Sequence, residues 1–271
     1  MNEKILKTKS NGFGALFFIV LMIIVAIASF ISSIAFLKNE ALAVVGVLLS
    51  IFLFIGSIIS FGGLKVVKPQ EAIVLTLFGD YTGTIKEPGF YFVNPFSVAV
   101  NPASKTKLGQ SGDVDRQNTP IAVGNAGIEA NLDAFKKHIS LKIMTLNNSR
   151  QKINDCLGNP VEIGIAVTWK VVDTAKAVFN VDNYKEYLSL QCDSALRNIV
   201  RIYPYDVAPN VDTTGDGIAD EGSLRGSSEV VAKRIRDEIQ ARVENAGLEI
   251  IEARITYLAY APEIAAVMLQ R

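Results

Sequence analysis

The sequence predicts an α+β fold carried behind a transmembrane helical hairpin. Two long runs near the N-terminus, Phe13 to Leu37 and Ala41 to Leu64, contain no charged residue. After them, strand patterns come first, helix patterns follow, and one strand pattern and the start of a helix close the chain. Strands and helices grouped in this way argue for antiparallel strands with packed helices and against a doubly wound parallel sheet.

The N-terminal tail, residues 1–12, is basic through Lys4, Lys7 and Lys9. Each apolar run is long enough to cross a hydrocarbon core of about 30 Å as a helix. Only Lys38, Asn39 and Glu40 separate them, so residues 13–64 read as a two-helix membrane hairpin. The first run is too long for a signal-peptide core and is followed at once by a second. A hairpin dipping into one leaflet has the same topology for the rest of the chain. Lysines flank the outer ends of the pair, Lys4, Lys7 and Lys9 before it and Lys65 and Lys68 after it, whereas the connecting turn has Lys38 offset by Glu40. The positive-inside rule then puts both ends, and the soluble domain, on the cytoplasmic side of the cell membrane.

The 271 residues carry no net charge, which gives no basis for nucleic-acid binding. The two cysteines, Cys156 and Cys192, do not make a disulfide framework and suit a reducing compartment as free thiols.

Val66 to Phe78 is apolar and rich in β-branched residues and reads as one strand. Gly79, Asp80, Gly83, Pro88 and Gly89 then mark hairpin turns. The stretch EPGFYFVNPF, Glu87 to Phe96, reads as a turn and a short edge strand that stops at Asn94-Pro95, with Phe90 and Phe92 on one face and Tyr91 on the other. It holds no plausible catalytic pair. Residues 101–134, rich in Gly, Asn, Ser and Asp, read as a long loop or insertion with one strand at Pro120 to Val123. Ile139, Leu141 and Ile143 alternate with polar residues as a half-buried strand, and Gln151 to Cys156 is a second candidate. Val161, Ile163, Ile165, Val167, Trp169 and Val171 make the clearest strand in the chain.

Asp173 is positioned to cap a short helix to Phe179. Asn183 with Glu186 resembles a capping box ahead of the stripe Tyr184, Tyr187, Leu188, Ala195, Leu196, Ile199 and Val200. A further helix begins at Ser227 or Ser228, with Val231, Ile235, Ile239 and Val243 on one face, and stops at Gly247. Leu248 to Tyr260 is the last strand. Its apolar parity switches at Ile250-Ile251, which predicts a bulge. Residues 261–271 begin a C-terminal helix.

Reactive chemistry is sparse. His138 is the one histidine and reads as an outward-facing surface residue beside Lys136 and Lys137. There is no G-x-S-x-G, H-E-x-x-H or phosphate-loop pattern. The polar loop at 207–226 contains Asp212-Thr-Thr-Gly-Asp-Gly-Ile-Ala-Asp220, which resembles a calcium loop: Asp212, Asp216 and Asp220 supply carboxylates and Gly217 the sharp turn. Its third position is Thr214 and its twelfth Ser223 rather than Glu, and an ordinary polar loop has the same composition. Tyr203 and Tyr205, around Pro204, read as core or loop anchors ahead of partner contacts.

Several segments together resemble the stomatin/prohibitin/flotillin group, the SPFH or band 7 superfamily, and are most similar to its bacterial members with an N-terminal membrane hairpin. They are GGLKVVKPQEAIVLTLFGDYTGTIKEPGFYFVNPF (62–96), GNPVEIGIAVTWKVVDTAKAVFNVDNY (158–184), ALRNIVRIYPYD (195–206) and the stretch from Leu224 to Arg271. The resemblance implies an SPFH domain over 65–260 and makes residues 101–134 and the Asp212 loop insertions. It implies that Phe90, Phe92 and Phe96 fill a small domain against the membrane or rest on the lipid interface. It also implies a non-enzymatic scaffold that binds membrane lipids, forms a homo-oligomer, needs no cofactor, and organises membrane microdomains and client membrane proteins. The alternatives are an accessory regulator of a membrane protease or transporter, and a calcium-responsive membrane module. Related proteins continue after the segment APEIAAVMLQR into a long heptad-rich helix, which this sequence does not contain.

Overall fold

A computed structural model describes residues 2–6, 10–35, 40–106, 137–148, 150–206 and 222–264. Two helices open it, α1 (Gly12–Ala35) and α2 (Glu40–Phe61), both long and apolar enough to cross a membrane. They pack as a hairpin. The buried residues of α1, Gly12, Ile19, Ala26 and Ser33, recur every seventh position and make a single seam, and Ser50 and Ser57 of α2 are also buried. Small side chains let the two backbones approach without a hydrophobic driving force, which lipid would not supply. The serine hydroxyls cost little there, because Ser50 Oγ donates to the Val47 carbonyl (2.7 Å) and Ser57 Oγ to the Leu53 carbonyl (2.8 Å). Large apolar side chains such as Phe17, Phe18, Ile24 and Phe52 point outward.

The chain divides into two compact units. The smaller one comprises 4–100, including the hairpin, and 137–139. After the hairpin come β1 (Leu64–Val67), β2 (Glu71–Leu77), β3 (Asp80–Ile85), β4 (Gly89–Phe92) and β5 (Val98–Ala99). The single strand expected over Val66 to Phe78 is two strands in two sheets. Pro69 has no N–H to donate and Gln70 takes φ 61°, so the ladder breaks between β1 and β2. β2 pairs antiparallel with β3 and β5, whereas β1 pairs with β4, Lys65 opposite Tyr91 and Val66 opposite Phe90. The expected alternation in β4 holds, and it is Tyr91 that enters the core, with Val67, Ile73, Leu75 and Ile85.

The expected strand from His138 to Ile143 is also divided. β6 (Ile139–Ser140) pairs with β2, and the chain then leaves regular structure. Ile139 is fully buried while Ile143 is 62% exposed. Alternation along a sequence cannot show that one end is buried while the other turns to the surface.

The larger unit is built on β9 (Pro160–Val171). β10 (Leu248–Tyr260) runs antiparallel along its whole length. β7 (Met144–Asn147) and β8 (Gln151–Asn154) share its other edge. The register shifts between Ile250 and Glu252, where the parity switch predicts a bulge, and again between Ile255 and Tyr257. Val161, Ile163, Ile165, Val167, Trp169 and Val171 are all buried.

Among the described residues, α3 (Thr174–Phe179), α4 (Tyr184–Val200) and α5 (Ser228–Val243) pack in this unit. Asp173 caps α3 by accepting from Lys176 N (2.9 Å). Asn183 caps α4 through Lys185 N and Glu186 N, and Glu186 answers the Asn183 side-chain amide rather than its backbone N–H. The stripe of α5, Val231, Ile235, Ile239 and Val243, is buried, and Gln240 clips the helix to β10 by donating to the Leu248 carbonyl and accepting from Ile250 N. Pro102–Lys105 is a single 3-10 turn at the start of the expected insertion. The rest of that segment, with the expected strand at Pro120 to Val123, lies outside the described residues. Pro262 to Ile264 are helical, in keeping with a helix start there.

Asp155, 5% exposed, organises one end of this unit. Its Oδ1 accepts from Leu157 N (2.9 Å) and Asn159 N (2.8 Å), and its Oδ2 from Asn159 Nδ2 (3.2 Å) and Tyr205 N (3.1 Å). It thereby joins the β8–β9 turn to the segment after α4. Asp155→Ala leaves those donors without their partner and is expected to cost about 2–4 kcal/mol in chemical denaturation, with Asp155→Asn, which keeps the Oδ1 bonds, costing less. The cysteines give a second test. Burial, then the charge of Asp193, pushes the Cys192 thiol up to about 12, while Cys156 is only partly buried. A maleimide at neutral pH should label Cys156 first and Cys192 only after unfolding, as read by peptide mass.

Candidate functional site at the foot of the membrane hairpin

The segment Glu87 to Phe96 holds both feet of the hairpin. Just before α1, Asn11 Oδ1 accepts from Phe92 N (3.1 Å) and Ser10 Oγ donates to the Phe90 carbonyl (2.9 Å). The Phe13 and Phe90 rings meet edge to face at 5.2 Å. Just after α2, Val93 N donates to the Gly63 carbonyl (2.9 Å). The approach is close enough to exclude side chains: a Cβ on Gly12 would lie 2.5 Å from the Phe90 ring, and one on Gly63 would lie 2.4 Å from the Val93 carbonyl oxygen. Four consecutive residues, Phe90 to Val93, therefore fasten the start of one apolar helix and the end of the other, on the same side of the hairpin.

Of the aromatics expected at an interface, Phe90 packs on α1, Phe92 lies against Gly63, and Phe96 is 56% exposed. Tyr91, hidden from that expectation, is the core residue. Its hydroxyl donates to the Glu87 carbonyl (3.1 Å), and burial, then the charge of Glu87, raises its pKa.

The N-terminal tail is part of the same assembly. The Lys4 carbonyl accepts from Thr84 N and Leu6 N donates to the Thr84 carbonyl, both at 2.9 Å, so the tail lies parallel to β3. The Leu6 side chain packs on the small core. Nothing in a short basic tail signals this, because the pairing edge belongs to a strand some eighty residues away.

His138 is not an outward-facing surface residue. Its side chain is 14% exposed and its Nδ1 lies 2.8 Å from Glu71 Oε2 at the start of β2. The carboxylate is remote in sequence, which is why the pairing was not legible there. Nearby, burial and then the charge of Lys137 hold the Lys65 ammonium below its ordinary range. The histidine and carboxylate pair ties the residue before β6 to the start of β2.

Elsewhere, an open groove of about 560 Å³ between α5 and β10 is lined by charges of both signs, Glu229, Lys233, Arg236, Glu252 and Arg254. Among the described residues, no three or more His, Cys, Asp or Glu side chains are grouped to hold a metal ion. Asp212, Asp216 and Asp220 lie outside the described residues. Ser223, the twelfth position of that loop, is buried and its Oγ accepts from Gly226 N (2.8 Å). Tyr203 is buried, and Tyr205 stacks on Tyr260 at 3.9 Å, so both serve as anchors.

The docking of the tail depends on Gly83, whose φ of +154° disfavours side chains and where a Cβ would lie 2.6 Å from Leu6. Gly83→Ala should destabilise the chain by about 1–3 kcal/mol. Protease should then cut residues 2–11 earlier than in the parent, read by N-terminal peptide release.

The pattern of matches outside the chain agrees with this architecture. The family described as SPFH domain / Band 7 family matches residues 65–271, more than half of the chain. No curated protein matches it. A match of that extent, over the strands and helices that follow an apolar helical hairpin, shows that the chain belongs to the SPFH domain / Band 7 family.

Proposed function

We propose that the chain is a membrane-anchored scaffold whose protomers assemble laterally into a homo-oligomer and thereby organise membrane lipids and client membrane proteins. Proteins of this family act in general as membrane-associated, non-enzymatic scaffolds. The observation that carries the reading is the double attachment at Phe90 to Val93. Because one short strand and the residue after it hold both feet of the hairpin, the smaller folded unit is held at one membrane face and cannot swing away from it. The lysines that flank the hairpin support the cytoplasmic face.

The mechanism is mechanical. The hairpin confines each protomer to the bilayer, where a restricted plane raises the effective concentration of neighbours, and contacts between folded units then set the spacing of whatever lipids or proteins lie among them.

Particle mass of the chain in mild detergent tests this, beside a version extended after Arg271 by a heptad-rich helix. An assembly much larger than a dimer, in either form, is expected. A monomer or dimer in both, co-purifying with one protease or transporter at fixed stoichiometry, would replace the scaffold with an accessory regulator of that client.

A further inference from the structure

The tip of the β2–β3 hairpin breaks a local rule. Its turn is Phe78-Gly79, with φ of 52° and 99°. Tight turns of this kind favour Asn, Asp or Gly at the first position, and a bulky aromatic there is conformationally costly. Phe78 recovers nothing from the core, because it is 87% exposed. A costly conformation that does not serve folding is a reason to look for a function at that residue.

Phe78 is not alone. The Phe96 ring stacks on it at 6.3 Å and is 56% exposed. Val98, 52% exposed, pairs with Thr76 at the end of β2 and extends the same apolar surface. Phe96 is held in place by Asn94, whose Oδ1 accepts from Phe96 N (3.0 Å). The loop carrying it sits at the exit of α2, since a Cβ on Gly62 would lie 3.3 Å from the Pro95 carbonyl oxygen. The exposed pair is thus continuous with the point where the apolar helix ends.

We propose that Phe78 and Phe96 form an aromatic wedge that enters the interfacial layer of the bilayer, beside the hairpin, as a second membrane contact of the folded part. Aromatic rings are favoured at that depth, where the surroundings are neither fully apolar nor fully aqueous. The wedge fixes the small sheet against the surface and displaces lipid headgroups in one leaflet only. The inference rests on α1 and α2 spanning or entering the bilayer.

The test uses the full chain in vesicles of phosphatidylcholine and phosphatidylglycerol that carry a nitroxide either near the headgroup or near the end of the acyl chain. The one tryptophan of the parent, Trp169, is fully buried, so it supplies a blue-shifted background out of reach of aqueous and lipid quenchers, which is subtracted from each variant. The added emission of Phe78→Trp and of Phe96→Trp should be blue-shifted and quenched more by the shallow nitroxide than by the deep one. That of Ile24→Trp, on the exposed side of α1, should be quenched most by the deep one. If the Ile24 probe responds as expected but the two wedge probes are quenched by aqueous acrylamide instead of lipid, the wedge is wrong and the hairpin stands. Wedge probes shielded from both quenchers would mean that protein covers them, which also overturns the proposal. An Ile24 probe blind to both nitroxides would remove the hairpin reading and the wedge with it. Phe78→Asn supplies an independent readout: its melting temperature in detergent should equal or exceed that of the parent, whereas a fall would assign Phe78 a packing role and refute the wedge.

Discussion

Everything in the smaller unit depends on the backbone of Phe90 to Val93. Strand β4 uses one set of its hydrogen-bonding groups to pair with β1 and others to hold Asn11 and Ser10, and Val93, just after it, holds Gly63. Backbone groups near a bilayer cannot be left unpaired cheaply. Satisfying them from both ends of the hairpin is therefore stabilising and directional at once. The Pro-Gly before the segment and the Asn-Pro after it confine it to this short span, so that it does not become a long edge strand open to other chains.

The two folded units use different means of stability. The smaller has a core of a few residues, Val67, Ile73, Leu75, Ile85 and Tyr91, and recruits Leu6 from the N-terminal tail, while the buried Ile139 joins the unit from far along the chain through β6 beside β2. So small a core is marginal by itself, and contacts from distant segments enlarge it. The larger unit has a continuous apolar layer between β9 and its helices, with Trp169, Leu188 and Leu196 fully buried. Its polar groups are placed with care: Asp193 accepts from Asn148 Nδ2 (2.6 Å) and from Gln151 Nε2, tying α4 to the β7 and β8 segments, as Asp155 ties the other end. Asp155 is buried and Asp193 partly so, and carboxylates shielded from water with several N–H donors stabilise a single arrangement of the chain and disfavour slipped registers.

The surface chemistry fits a protein that works by position. Its exposed ion pairs, such as Lys152 with Glu263 and Lys170 with Glu249, are solvent-screened and contribute little energy. Most of the exposed large apolar side chains lie on the hairpin; outside it Phe78 is the most exposed, at 87%, and its patch with Phe96, beside the end of an apolar helix, differs from scattered residues such as Ile143, Leu157 and Leu190.

The sequence by itself determined the parts whose causes are local. Charge-free runs of sufficient length make the hairpin, period-two alternation makes β9, four-residue spacing makes the buried face of α5, and Asp173 and Asn183 cap the helices that follow them. The parity switch at Ile250 marks the bulge for the same reason, since a pleated strand reverses its faces at every residue. Only the tertiary structure decided which distant segments meet. It splits the run around Pro69 into two sheets and buries Ile139 and Met144 in different units. It also pairs His138 with Glu71, lays the tail along β3, and makes Tyr91 rather than its phenylalanine neighbours the core residue. Periodicity reports that a residue will be buried. The partner that buries it is set by chain closure and shape, which no window of neighbouring residues contains.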